Sequence, residues 1–345
     1  MSDTQIKNNQ ATSSTKAAKP KAAVVLLQFG GPDSLEAVEP FLFNLFNDSD
    51  IVELPFGPRF QKTFARIISK RRSKSVRLKY EEIGGKSPIV DKTFGQVEAL
   101  QQYLDNTLKE KVIVKVAMRY WKPFTDQIIS ELQKEGIEDV VLLPLYAQYS
   151  KTNAGSSYNE WDRMLKKLHA SFHERRIMEY RRDPKYLAAL NERIDQALTK
   201  FKDPSKAFLL FSAHGTPIDM VERGDPYSHH IIDTMEALMD LRGRDFPYKL
   251  SYQSKVGPKK WLTPATDATV KKLAQENKKH LLVIPIAFVS DHIETLHELD
   301  IEVRELAHKA GIEEFVVMEG LNNSPLFIEC LGEMAIRELE QLGKN

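Results

Sequence analysis

Six short apolar runs, most of them rich in β-branched and aliphatic residues, constrain this chain most: AAVVLLQF (22–29), VIVKVAM (112–118), VVLLPLY (140–146), AFLLFSA (207–213), YKLSYQS (248–254) and LLVIPIAF (281–288). Longer stretches of helical period separate them, near 35–47, 91–108, 124–135, 155–169, 184–200, 227–242, 264–277, 291–309 and 325–342. Strands alternating with helices build parallel sheets with helices on both faces. Several strands fall in each half, with a polar connector, TKFKDPSK (199–206), near the middle. The expected fold is α/β, two doubly wound lobes.

Function in open α/β sheets gathers where loops leave the carboxyl ends of strands. Here those ends carry QFGGPDS (28–34), AMRYWKP (117–123), PLYAQYSKTNAGSS (144–157), SAHGTP (212–217), YQSKVGPKKW (252–261) and FVSDHIE (288–294). QFGGPDS lacks both GxGxxG and a GK[ST] ending, so a nucleotide is disfavoured and a tight turn, with Asp33 or Ser34 capping the next helix, is the plain reading. SAHGTP puts His214 beside Gly215, where backbone can approach a ligand and a neutral imidazole can take a proton or a divalent metal. A histidine hydrogen-bonded at a domain seam fits that stretch equally well. Ser212 is not in a GxSxG elbow, which disfavours serine hydrolysis.

The segment SDHIETLHELD (290–300) admits two readings as well. At helical spacing Asp291, Glu294, Glu298, Glu302 and Glu305 share one face, while His292 sides with Leu296, Leu299, Val303 and Leu306. Asp291 and Glu294 would suit a capping-box start, leaving a solvated acidic face. Alternatively the imidazoles and carboxylates suit a borderline divalent ion such as ferrous iron. His292 and His297 are five apart, so HExxH zinc chemistry is out.

The formal charge is only +1, so any attraction to a charged partner must be local. A local patch exists: LPFGPRFQKTFARIISKRRSKSVRLKY (54–80) holds nine Lys or Arg and no Asp or Glu. On a helix Phe60, Phe64, Ile67 and Ile68 line one face, and Arg59, Lys62, Arg66 and Lys70 the other. Such a helix either lies in a membrane interface or packs on the protein with its charges solvated. No nucleic-acid motif accompanies it. A single cysteine, Cys330, excludes an internal disulfide and a CxxC zinc site, and fits a reducing compartment. No apolar run is long enough to span a bilayer, and residues 1–20, polar and rich in Ser, Thr, Lys and Ala, read as a disordered tail.

Taken together, LLQFGGPDS, YEEIGGKSPI, AMRYWKP, AQYSKTNAGSS, LFSAHGTP, RGDPY, YQSKVGPKKWLTP and IPIAFVSDHIETLHELDIE resemble the ferrochelatases, which insert ferrous iron into a porphyrin in the last step of haem synthesis. The resemblance runs from about residue 22 to about residue 340. It implies two Rossmann-like lobes around a cleft: 21–155 plus the returning 325–345, and 156–324. It implies catalytic roles for His214, Glu294, His292 and Asp291, with His214 and Glu294 as metal ligands. Arg119 and Tyr120 would form the opposite wall and Phe29 would touch the macrocycle, with Tyr149, Ser254, Trp261 and Phe288 completing the porphyrin site. A membrane lip would fall on 54–70, through Phe56, Phe60, Phe64, Ile67 and Ile68.

The same resemblance implies protoporphyrin IX and Fe2+ as substrates, no nucleotide, and other enzymes of haem synthesis as possible partners. It places the chain in the cytoplasm with peripheral contact to the inner membrane. YSKT has no cysteine, so the iron–sulfur cluster of animal relatives is not expected, nor any permanently bound cofactor. Two rivals are a coproporphyrin III ferrochelatase and a non-catalytic porphyrin or haem carrier on the same fold.

Overall fold

The computed structural model describes residues 20–52, 58–257 and 259–343. All but the last residue of the expected tail, and Phe56 of the expected lip, lie outside them. Two four-stranded parallel sheets organise the described chain. The first runs in the order β2-β1-β3-β4, from β1 (Ala22–Gln28), β2 (Val112–Met118), β3 (Asp139–Pro144) and β4 (His173–Arg176). The second runs β6-β5-β7-β8, from β5 (Phe208–His214), β6 (Tyr248–Gln253), β7 (His280–Ile284) and β8 (Glu314–Val317).

Because side chains alternate along a strand, β1 serves two cores at once. Ala23, Val25 and Leu27 face one layer, with Ile128, Ile129 and Trp161, and Val24 and Leu26 face the other. In chain order the helices of the first lobe are α1 (Val38–Phe46), α2 (Gln61–Glu82), α3 (Ile89–Thr107), α4 (Thr125–Glu135) and α5 (Ser156–Leu168). After them come α6 (Pro184–Leu198), α7 (Ile218–Glu222), α8 (Tyr227–Leu241), α9 (Thr266–Gln275), α10 (Arg304–Ala310) and α11 (Pro325–Leu342). The largest core is continuous between the sheets. It joins Val24 and Val141 of the first to Leu209 and Ile284 of the second through α3, α6, α8 and α11. Leu210, Val283, Val270, Leu299 and Phe315 fill the far side of the second sheet.

Helix α11 returns to the first lobe and packs against α3 closely enough that a Cβ on Gly332 would lie 2.3 Å from the Tyr103 ring. The seam expected at 155/156 falls inside that lobe. Strand β4 pairs with β3, and α5 packs on α4 through Trp161, so the first sheet runs on to Arg176. Trp161 also donates to Glu174 on β4 at 2.9 Å, which ties this late strand to α5.

Helix α2 buries Gln61, Ala65, Ser69, Ser73 and Tyr80, its small and polar side, against α1. Gln61 donates to the carbonyls of Phe46 and Val52 there. Phe60 and Ile67 stay exposed, at 58% and 63%, while Phe64 and Ile68 are half-buried. The acidic stretch is a π-helix over Glu294–Val303, continuing into α10, and not one α-helix from 291. Among the described residues no helix is long and apolar enough to cross a membrane.

Candidate active site

Strand β5 delivers His214 to its carboxyl end, beside the ends of β6 and β7. Gly215 follows because its N–H donates to the carbonyl of Gln253 at 2.8 Å, and a Cβ there would meet that same oxygen at 2.9 Å. The imidazole Nδ1 is 2.5 Å from the Gly215 carbonyl. A carbonyl only accepts, so Nδ1 donates there and leaves Nε2 turned toward Glu294. That Nε2 lies 3.7 Å from Glu294 Oε1.

His292 repeats the arrangement. Its Nδ1 donates to the Ser290 carbonyl at 3.2 Å, and its Nε2 is 3.8 Å from the other carboxylate oxygen of Glu294. Phe288 packs edge-on against this ring with centroids 4.3 Å apart. Glu294 thus stands between two imidazoles that each offer it an Nε2. Burial pushes its carboxyl up, but positive charge on His214 and His292 and the Ser254 hydroxyl outweigh this and pull it down to about 2. Glu294 Oε2, Trp261 Nε1 and Thr216 Oγ1 are buried with no hydrogen-bond partner among the described residues. The Trp261 ring lies 6.3 Å from that of His214, so polar atoms without partners concentrate around the histidine.

The other expected acids are engaged elsewhere. Asp291 is buried, and its carboxylate accepts from Gly320 N–H at 3.0 Å, Asn322 Nδ2 at 2.7 Å and the Thr295 hydroxyl at 3.3 Å. It braces the loop after β8 instead of capping a helix; the π-helix has no side-chain cap. Glu298 accepts from the backbone N–H and the hydroxyl of Ser254, whose φ of +65° folds the β6 end over it. Its carboxyl is pushed up by burial and by the charge of Glu294. Glu302 meets Lys79 at 2.8 Å and Glu305 meets Lys309 at 2.6 Å. Among the described residues no three His, Cys, Asp or Glu converge to hold a metal ion.

The wall at the end of β2 is built around a residue absent from the sequence reading. Asp48, with a side chain 1% exposed, takes Tyr120 Oη at 2.6 Å, Ser156 Oγ at 2.7 Å and Arg119 Nη2 at 2.8 Å, all on Oδ2. Arg119 Nε also donates to Ser156 Oγ at 3.0 Å, and its guanidinium lies over the Tyr120 ring, 5.0 Å from the centroid. Tyr120 is fully buried, so it serves this network and supports Phe29, whose ring meets it edge-on at 4.6 Å. Phe29 itself is partly exposed, as is Tyr149, whose N–H reaches His230 Nδ1 at 3.3 Å. Asp48 sits in a short polar loop with no motif, and only the folded chain brings it to Tyr120 and Ser156.

Two four-stranded parallel sheets with their functional ends at a shared seam make this a two-lobed α/β chelatase fold. The solved structure titled "SirB from Bacillus subtilis with Fe3+" shares it, with a TM-score of 0.53 at 10% identity, covering 93% of this chain and 95% of that one. The Ferrochelatase family model matches residues 21–339. The chain is 48% identical over 323 residues to the protein named ferrochelatase in Aquifex aeolicus, covering 92% of this chain and 100% of that one. It is 46% identical over 315 residues to the ferrochelatase of Geotalea daltonii, covering 91% and 97%. The chain belongs to the ferrochelatase family, as its motifs implied.

Proposed function

We propose that the protein inserts Fe2+ into protoporphyrin IX to form protohaem. The carrying observation is the pair of Nε2 atoms, on His214 and His292, aimed at the two oxygens of Glu294. The reaction sets a definite demand. A free-base porphyrin loses two pyrrole protons as one dication enters, so Fe2+ plus porphyrin gives haem plus two H+. A neutral imidazole accepts protons near pH 7, and the positive charge it then carries draws the Glu294 carboxyl down, which makes that carboxylate a good counter-ion. In this reading His214 takes protons from the ring. Glu294 stabilises the imidazolium and hands proton or metal on, and His292 keeps the carboxylate charged and oriented.

A large apolar ring can supply binding energy to distort itself, which exposes its nitrogens to the metal. Phe29 on one side and Trp261 and Phe288 on the other offer partly exposed aromatic surface for it. Ser254 and Asp291 hold the acids of the π-helix in place, and Arg119 and Tyr120, locked by Asp48, stiffen the far wall. No permanent cofactor is needed. Cys330, the single cysteine, is on the buried side of α11 with its thiol pushed up by burial and by Asp183, which suits packing and not cluster ligation. The exposed ridge of Phe60 and Ile67, beside Lys62, Arg66 and Lys70, fits a peripheral bilayer contact through which an apolar substrate arrives.

Anaerobic ferrous insertion followed by absorption, with protoporphyrin and coproporphyrin side by side, tests the reading. Faster turnover of protoporphyrin is expected. Preference for coproporphyrin moves the protein to the other branch, and tight binding without metalation makes it a carrier.

A further inference from the structure

The second histidine of SDHIETLHELD takes no part in the chemistry above. His297 lies in the π-helix, three residues after Glu294, with a side chain 4% exposed. Its Nε2 is 3.1 Å from Glu82 Oε2, on the last residue of α2, and its Nδ1 is 3.7 Å from Glu302 Oε2. The other oxygen of Glu302 holds Lys79 Nζ at 2.8 Å, again from α2. Both carboxylates are half-exposed and can be satisfied by water; the imidazole is buried and its Nδ1 has no hydrogen-bond partner among the described residues, so the contact of Nε2 with Glu82 is the close one it keeps. Because His297 belongs to the π-helix, that contact by itself joins the π-helix to α2.

This contact has a position that matters. Ile293, just ahead of the π-helix, packs into the first-lobe aromatic cluster with Tyr80, Tyr120 and Trp121. Glu294 therefore sits between two attachments to the first lobe, apolar packing at Ile293 and the polar contacts at His297 and Glu302. Its partner His214 is carried by the second sheet. The separation of His214 from Glu294 thus depends on how firmly the π-helix is held to α2 as well as to Ser254 of β6. We propose that His297 is a positioning residue for metal insertion, linking the π-helix to Glu82 of α2 and so fixing Glu294 relative to His214 and the porphyrin. The proposal rests on the role given to Glu294 above.

The test compares His297→Phe, which fills the space without polar contacts, with His297→Gln, whose amide N–H still reaches Glu82. For each, kcat and the KM for porphyrin and for Fe2+ are measured, together with hydrogen exchange of residues 61–82 and 294–303 in the whole protein. A reacting group displaced by a fraction of an ångström loses rate and not affinity, so His297→Phe should lower kcat about tenfold with both KM values within about twofold. His297→Gln should recover to within about threefold of the parent. Exchange in both segments should quicken in the Phe variant alone. Glu82→Ala should match His297→Phe, and the double variant should fall no further; this pair also serves if the Phe variant fails to fold. Unchanged kcat in His297→Phe, a Gln variant no better than Phe, or additive losses would overturn the assignment. If the parent itself inserts no metal, the function proposed above fails. The exchange comparison still decides whether His297 joins the helices, and unchanged exchange would overturn that.

Discussion

Replacing Asp48 with Asn probes the wall at the end of β2 in the most quantitative way the structure allows. The substitution keeps shape and one acceptor oxygen but removes the charge, and Oδ2 now receives three donors within 2.8 Å. Arg119, only 12% exposed, would keep Glu160 at 3.8 Å as its remaining counter-ion. Removing one partner of a buried pair typically costs about 3–5 kcal/mol. The partial compensation from Glu160 places Asp48→Asn near the lower end, about 3 kcal/mol. Adding Arg119→Met removes the stranded charge while keeping apolar bulk, so the double variant should regain about 2 kcal/mol of the loss. Urea unfolding of the parent, both single variants and the double, read at constant m, measures the cycle. Losses that simply add would refute the argument, since they would mean that Asp48 and Arg119 do not stabilise one another.

Glu294 has a carboxyl held at about 2 against an ordinary 4.5, so its contribution to stability is complete above about pH 4.5 and is lost as pH falls toward 2. Linkage over that interval gives about 2 kcal/mol lost between pH 5 and pH 3 in the parent, and Glu294→Gln should flatten this limb; an equal acid sensitivity in both proteins would count against the coupling to the imidazoles. Replacing Phe60 and Ile67 with Ser should weaken binding to anionic vesicles at least several-fold while shifting the unfolding midpoint little, because both side chains are largely exposed. Unaltered vesicle binding would return the helix to a solvated surface. Gly332→Ala should destabilise by about 1–3 kcal/mol, because the added methyl meets Tyr103 at the α3–α11 contact; a neutral result would show that the two helices can part freely.

The apolar runs revealed the lobes because strands buried on both faces need no polar alternation, as β1, β3, β5 and β7 show. The two strands outside those runs carry no such signal. HERR (173–176) is an edge strand paired only to β3, made of charged side chains that reach Asp162 and Glu338 beside it, and EFVV (314–317) is only four residues long. The edge strand's invisibility moved the expected lobe boundary to 155/156. His214 was legible because it ends β5, and Glu294 because it opens the helix that follows the loop after β7. The ladder of acids after them was not, because a period of 3.6 cannot describe a helix bonded i to i+5. Asp48 and the bracing role of Asp291 depend on contacts 72 and 31 residues away, to Tyr120 and Asn322, which local pattern does not encode.

The central claim is that the imidazole of His214 receives pyrrole protons beside Glu294. It is tested most directly by His214→Ala, with porphyrin binding followed by fluorescence and metalation followed by absorption in the same samples. Bound porphyrin with metalation reduced about 10²–10⁴-fold is the result the account predicts. Binding accompanied by near-parental metalation would contradict it, because the protons would then leave by another group.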